Sequence, residues 1–377
     1  MRIYFCAPIF ALLVLFGVAA CAPENSHDDA PLATLAQVPG RNYFSLSVHP
    51  NGQDLLFLEL RDDWPGYFRL QRYHLGTRQL QYYQLPADYV YRDAAFSPSG
   101  NYIVLRRAPN VPDQDGGWRS AFDRSEIAVM RADGSDFRVL PLAAGLKMGP
   151  VMSHDERRIA YWRATQRRPG AKSFAEKFDV WEVDLQTGTD QLFASSWGFF
   201  EGGQMQYLKN DEEVVIGTYL PTHGKVRGLT DENLISWGAR YESKHGHRFI
   251  YVLKRGGDVL LDPLRTGASS VRHPSFDAHQ NLYFVGGKPD FSFFRMEKDG
   301  SLSQWTYPWN SFNQDAASVA FLDGSGVVFI FYYKNEDGSH KGIAIFDVQR
   351  ETWKQIAIPD FEKGTPIVVQ LSAAKNS

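Results

Sequence analysis

One pattern recurs six times along this chain and narrows the folds open to it more than any other feature: an apolar residue, a polar turn containing Gly, Asn or Asp, then an alternating apolar strand. The copies are VHPNGQDLLFLEL from Val48, FSPSGNYIVLRRA from Phe96, MSHDERRIAYWRA from Met152, YLKNDEEVVIGTY from Tyr207, FDAHQNLYFVGGK from Phe276 and FLDGSGVVFIFYY from Phe321. Pro-Asn-Gly and Pro-Ser-Gly turns ahead of period-2 strands predict hairpins. A second element follows each copy, an apolar strand ending in a polar turn, as in RYHLGT from Arg72, VMRADG from Val129 and FDVQRE from Phe346. Another short strand comes next, such as Gln79 to Tyr83 or Trp353 to Ile358, giving each unit four strands. Six such units predict an all-β fold, a six-bladed β-propeller of four-stranded antiparallel blades, in which radial repetition leaves few free sheet edges. Two packed sheets are the competing architecture, but they give no reason for the same signals to recur in the same order. Either the first strand, near Arg41 to Ser47, or the C-terminal strand, near Pro366 to Leu371, would close the ring.

Composition agrees with this reading: 14% aromatic residues with 32 Gly and 20 Pro suits many short strands joined by tight turns. The 44% hydrophobic and 22% charged fractions exclude wholesale disorder and a protein of several membrane spans. A formal net charge of −3 supplies no field to gather polyanions, so no nucleic-acid partner is expected. The units resemble the TolB-like, WD40-like propeller repeats, whose usual form is F-S-P-D-G-x-x-I/L followed by a strand ending near D-x-x-G. Phe96 to Ile103 carries that resemblance best, and it extends over about residues 41 to 360. It concerns the propeller alone, without the α/β domain that precedes it in TolB. The units also resemble the propeller half of prolyl-oligopeptidase-like enzymes, but the chain has no G-x-S-x-G nucleophile turn, so the resemblance does not imply that activity.

The first 20 residues read as an export signal: Arg2, then an apolar run from Ile3 to Ala20 ending in small residues. Val18-Ala19-Ala20-Cys21 resembles the lipobox of bacterial lipoproteins, which implies cleavage before Cys21 and acylation of its thiol with fatty acids such as palmitate. A signal anchor is the alternative, since the run reaches the lower length for spanning a bilayer. The other cysteine, Cys6, lies inside the segment that would be removed, so neither a disulfide nor a cysteine metal site is expected in the mature chain. Residues 21–40 would then be the lipidated cysteine and a flexible tether, with the propeller over 41–377. Ala22 after the cysteine favours, by the lipoprotein pattern, the outer membrane, with the domain facing the periplasm of a Gram-negative envelope and touching the membrane only through its lipid.

With strands running A to D outward, A–B and C–D turns share one face, and B–C and D–A connections share the other. Three consecutive units carry extra length between B and C, at 108–125, 164–178 and 219–247. These inserts place Trp118, Arg168, Phe174 and Trp237 on one face as candidate partner-binding anchors. The second and third inserts are net basic, which suits an acidic protein, an anionic headgroup or an acidic saccharide, although a solvated charge run is the default reading. Stepping back three or four residues from each turn along strand A selects Arg92, Asp93, Gln204, Arg272 and His273, with Asp315 close by, as a polar set at the channel mouth suited to ligand binding or acid–base work.

The chain has no C-x-x-C, H-E-x-x-H, P-loop or G-x-G-x-x-G, so no cofactor is expected. His245 and His247 have ligand-like spacing and would need a third ligand such as His223; a solvated loop pair is the simpler reading. Two function classes therefore compete. One is a non-enzymatic scaffold or binding module of the cell envelope, and the other is an envelope enzyme, a lyase or hydrolase of saccharides or other small molecules, with its site at the channel mouth. Because the nameable catalytic motifs are absent, the first is the expected class.

Overall fold

The recurrent hairpins assemble into six antiparallel blades, each built around one continuous stretch of chain. The computed structural model describes residues 41–61, 68–110, 124–167, 175–199, 203–219, 225–226, 248–257, 260–261, 264, 266, 270–287, 292–307, 317–335 and 338–372. Blade 1 is β1 (Arg41–Val48), β2 (Asp54–Arg61), β3 (Phe68–His74) and β4 (Leu80–Gln84). Blade 2 is β5 (Tyr89–Phe96), β6 (Tyr102–Pro109), β7 (Glu126–Arg131) and β8 (Arg138–Val139). Blade 3 is β9 (Lys147–Met152), β10 (Arg158–Arg167), β11 (Ala175–Asp184) and β12 (Asp190–Leu192). Blade 4 has three strands among the described residues, β13 (Met205–Tyr207), β14 (Glu213–Tyr219) and β16 (Arg248–Lys254), beside a short parallel pair of β15 (Lys225–Val226) and β17 (Leu260–Leu261). Blade 5 is β18 (Arg272–Phe276), β19 (Leu282–Gly286), β20 (Ser292–Met296) and β21 (Leu302–Thr306), and blade 6 is β22 (Ser318–Ala320), β23 (Gly326–Asn335), β24 (Gly338–Asp347) and β25 (Thr352–Ile356). The inner strands meet in order around the ring, β1 with β5, then β9, β13, β18, β22 and back to β1, so the propeller closes with six blades.

Each second strand is clamped between two blades, and this explains its unbroken apolar run. Leu55 and Phe57 face blade 6 while Leu56 and Leu58 face blade 2, all at most 1% exposed. The core is accordingly six clusters, one at each interface between neighbouring blades. Fourth strands behave differently: β21 alternates exposed and half-buried residues because only one face is covered.

The A–B turns repeat in backbone detail. In each, one residue takes a left-handed conformation: Gly52, Gly100, Glu156, Asp211, Gln280 and Gly324. Its N–H closes the turn, as Gly100 N does onto the Ser97 carbonyl at 2.9 Å. Gly100 has a further constraint, since a Cβ there would overlap the His49 imidazole of blade 1. These turns also tie blades together. Ser99 N donates to Glu156 Oε1 at 3.3 Å, and Ala278 N to the Leu322 carbonyl at 2.8 Å.

Closure uses both ends of the chain, and both contribute strands to the sheet of blade 1. At the first strand, β1 packs on blade 6, and the Arg41 guanidinium bonds buried Glu59 and donates to the carbonyls of Ile358 (3.0 Å) and Pro359 (3.1 Å). The C-terminal segment then runs outside the ring as a strap. Phe361 lies against Tyr82 (4.1 Å between ring centroids), and β26 (Thr365–Val368) joins β4 as a fifth, parallel strand of blade 1. Beyond it Phe137 N donates to the Gln370 carbonyl (2.9 Å), carrying the strap onto blade 2.

Candidate functional site

The inner strands carry a shared irregularity that shapes the channel. In blades 1, 2, 3 and 5 the register of the first strand shifts three residues before the turn signal, and there Ser45, Asp93, Gly149 and His273 have φ of 50–53°. A bulge at that point turns the local backbone and re-aims the side chain. Gln204 and Ser318 occupy the equivalent positions of blades 4 and 6. Ser45, Asp93, Gly149, Gln204 and His273 line a cavity of about 580 Å³ along the axis. Its walls are mainly apolar, including Leu46, Met148, Val151, Met205 and Val319. Turn residues from every blade also line it, among them Pro50, Pro98, His154, Lys209, Ala278 and Leu322, so it opens on the A–B face.

The pairs selected from sequence separate at this level. Asp93 and His273 line the cavity, whereas Arg92 and Arg272 do not. Arg92 lies over the Phe68 ring of blade 1 (4.4 Å), and Arg272 is buried at 4% exposure. Asp93 Oδ2 forms an ion pair with Arg106, 2.8 Å from its Nε, and accepts a hydrogen bond from the Gly149 N–H of blade 3 (3.1 Å). Across the channel, His273 Nδ1 lies 3.2 Å from Gln204 Oε1, and Gln204 Nε2 donates to the Ser318 carbonyl at 3.2 Å. Asp93 and His273 therefore stand on opposite blades, 2 and 5, and each binds across a blade boundary. One residue before the turn signal the same stitching recurs: Ser47 Oγ accepts from Phe96 N (3.0 Å), Gln206 Oε1 from Phe276 N (2.8 Å) and Ser275 Oγ from Ala320 N (3.0 Å).

The other named residues, Cys21, Trp118, Arg168, Phe174, His223, Trp237, His245, His247 and Asp315, lie outside the described residues. No group of three or more metal-ligating side chains occurs among the described ones.

Sequence reasoning missed the charged residues just above the bulge ring. Arg106 faces Arg92 across the β5–β6 ladder, and burial lowers the pKa of both; Arg92 is pushed down to about 10, with Arg106 the second cause. Lys147 is 1% exposed and donates from Nζ to the carbonyls of Ser125 (3.0 Å) and Gly145 (3.1 Å). Burial first, then the charge of Arg163, pushes its pKa down to about 8 from 10.5. The signal available was the cross-strand register, which places Arg106 and Lys147 on positions a one-strand reading skips.

A depressed lysine pKa means that the folded state binds its proton less tightly than the unfolded state. The cost is fully present below pH 8 and relieved as pH rises toward 10.5. Between pH 7.5 and 9.5 the wild type should gain on the order of 2 kcal/mol relative to Lys147→Met in urea denaturation. Parallel pH profiles for the two proteins would contradict this placement of the ammonium group.

Fold and channel together define a six-bladed propeller with an axial cavity large enough for a ligand. Solved structures of the same architecture are similar to it. TolB from Acinetobacter baumannii matches with a TM-score of 0.53 at 12% identity, covering 83% of this chain and 62% of that one. Oligogalacturonate lyase from Vibrio parahaemolyticus matches with a TM-score of 0.50 at 13% identity, covering 85% and 78%, and the tricorn protease with 0.52 at 15%, covering 85% and 27%. The chain thus spans less than two thirds of the TolB structure, and at these identities the likeness is one of fold. No family model matches the chain, and no curated protein matches it.

Proposed function

We propose that the chain is a cell-envelope lipoprotein, acylated at Cys21 and held on the periplasmic side of the outer membrane, whose propeller works as a non-enzymatic platform for binding envelope protein. The observation that carries this reading is the use of the channel's polar groups. Asp93, Gln204 and His273 bond neighbouring blades, and the two titratable ones stand on opposite sides of the ring. An acid–base pair needs its members within reach of one substrate. Trp118, Arg168, Phe174 and Trp237 are the proposed partner anchors, with the A–B mouth as the competing surface because the cavity opens there.

The second reading is an enzyme at the channel, acting on an acidic saccharide or similar small molecule. It draws on a cavity of about 580 Å³ with His273 in its wall, and on the likeness of fold to an oligogalacturonate lyase. His273→Ala and Asp93→Asn separate the two. The platform reading expects both variants to lose stability, by about 1–2 kcal/mol each for the broken hydrogen bonds, with no turnover by the wild type against envelope saccharides and esters. Wild-type turnover abolished by His273→Ala would favour the enzyme. The anchor is tested separately: Cys21→Ser should move the protein to the soluble fraction and end its labelling by fatty acid.

A further inference from the structure

Outside the channel, a crevice of about 220 Å³ lies between blades 2 and 3 on the face of the A–B and C–D turns. Its floor is formed by Tyr102, Val129, Met152 and Leu185. Arg138, on the outer strand β8, and Arg157, in the A–B turn of blade 3, line its rim with exposed side chains. Neither guanidinium has a carboxylate partner among the described residues, because the nearby acids bond elsewhere. Asp155 pairs with Arg158 at 3.0 Å, Glu212 with Arg255 at 3.1 Å, and Asp136 accepts from Ser372 Oγ at 2.5 Å. Glu156 also lines the crevice, and its Oε1 accepts from both N and Oγ of Ser99 on the neighbouring blade. Arg131 adds positive charge at the edge, lying 5.3 Å from the Tyr102 ring centroid.

Two planar cations above an apolar, partly aromatic floor match one kind of ligand. The guanidinium fork pairs with a carboxylate through parallel hydrogen bonds, and a floor of this kind takes the apolar or flat body to which the carboxylate is attached. We propose that this crevice binds a small organic carboxylate, its acid group held by Arg138 and Arg157 and its body resting on Tyr102 and Leu185. A peptide's C-terminal residue and a uronic acid unit both present this chemistry. The site is separate from the channel and does not depend on what the channel does.

Calorimetric titration of the full chain with N-acetylleucine and with galacturonate tests the proposal, with N-acetylleucinamide and galactose as uncharged counterparts. At least one acid should bind, its counterpart should be at least tenfold weaker, and Arg138→Gln and Arg157→Gln should each weaken the acid at least tenfold, as expected for charge-assisted hydrogen bonds. Both side chains are exposed, so the melting temperature should not move, which separates lost binding from lost fold. Whichever acid binds identifies the source. Equal binding of acid and counterpart, no binding of either acid, or unchanged affinity in both arginine variants would overturn the assignment.

Discussion

Gly203→Ala should cost the fold about 3 kcal/mol or more, at or above the top of the range for overpacked cores. A Cβ on Gly203 would lie 1.8 Å from the Gly217 carbonyl oxygen of β14 and 3.0 Å from its carbon. The obstacle is backbone, so no rotamer change relieves it. Both sides of the approach are pinned as well: Trp162 Nε1 donates to the Gly203 carbonyl at 2.7 Å, and Gly217 N donates to the Gln204 carbonyl at 3.2 Å. Gly188→Ala is the control, since nothing lies within 4 Å of its Cβ and only its φ of +73° resists substitution. It should cost about 1 kcal/mol, the usual penalty for a non-glycine residue in the left-handed region. Urea midpoints of the three proteins decide the matter, and a Gly203→Ala protein as stable as Gly188→Ala would show that the blade 4 hairpin yields where it is drawn as rigid.

Ending the chain after Pro359 is the second large effect, expected to lower stability by about 3–5 kcal/mol from one buried aromatic side chain and several backbone hydrogen bonds. The deletion removes Phe361 from between Tyr82 and the Arg69 guanidinium (3.9 Å), the β26 ladder on β4, and the bonds of Gln370 to Gly134 and Phe137 at 2.9 Å each. Val368 and Leu371 are 61% and 66% exposed, so lysine at either should change stability by no more than about 0.5 kcal/mol. Thermal unfolding of the truncated chain at wild-type temperature would mean that β1 against blade 6 closes the ring unaided.

The contrast between these regions shows what local pattern encodes. Strands such as Leu55 to Leu58 and Val327 to Ile330 are legible because burial on both faces demands an unbroken apolar run. The turns at Asn51-Gly52 and Ser99-Gly100 are legible because a left-handed residue favours glycine, while the same geometry at Glu156, Asp211 and Gln280 is hidden in residues that rarely adopt it. The strap reads in sequence as a strand near Pro366 to Leu371, but its parallel partner in β4, paired as Thr365 with Gln81, leaves no mark in spacing or alternation. At the channel, stepping back from the turn found Asp93 and His273 because the repeat holds its register, whereas the bulge that turns them to the axis and Arg92 and Arg272 away from the cavity is a departure from strict alternation. Lys147 was missed because its burial depends on Ser125 and Gly145, which no motif links to it.

Photo-cross-linking in whole cells, comparing probes placed on the inserts at Trp118 and Trp237 with probes in the A–B turns at Asn51, Ser99 and Asp323, tests the platform claim most directly. The account predicts discrete adducts with envelope protein from the insert positions, lost when Trp118 and Trp237 are changed together to alanine elsewhere than at the probe, and none from the A–B turns. Adducts confined to the A–B turns would place binding at the cavity mouth instead, and no protein adduct from either face would contradict the platform itself.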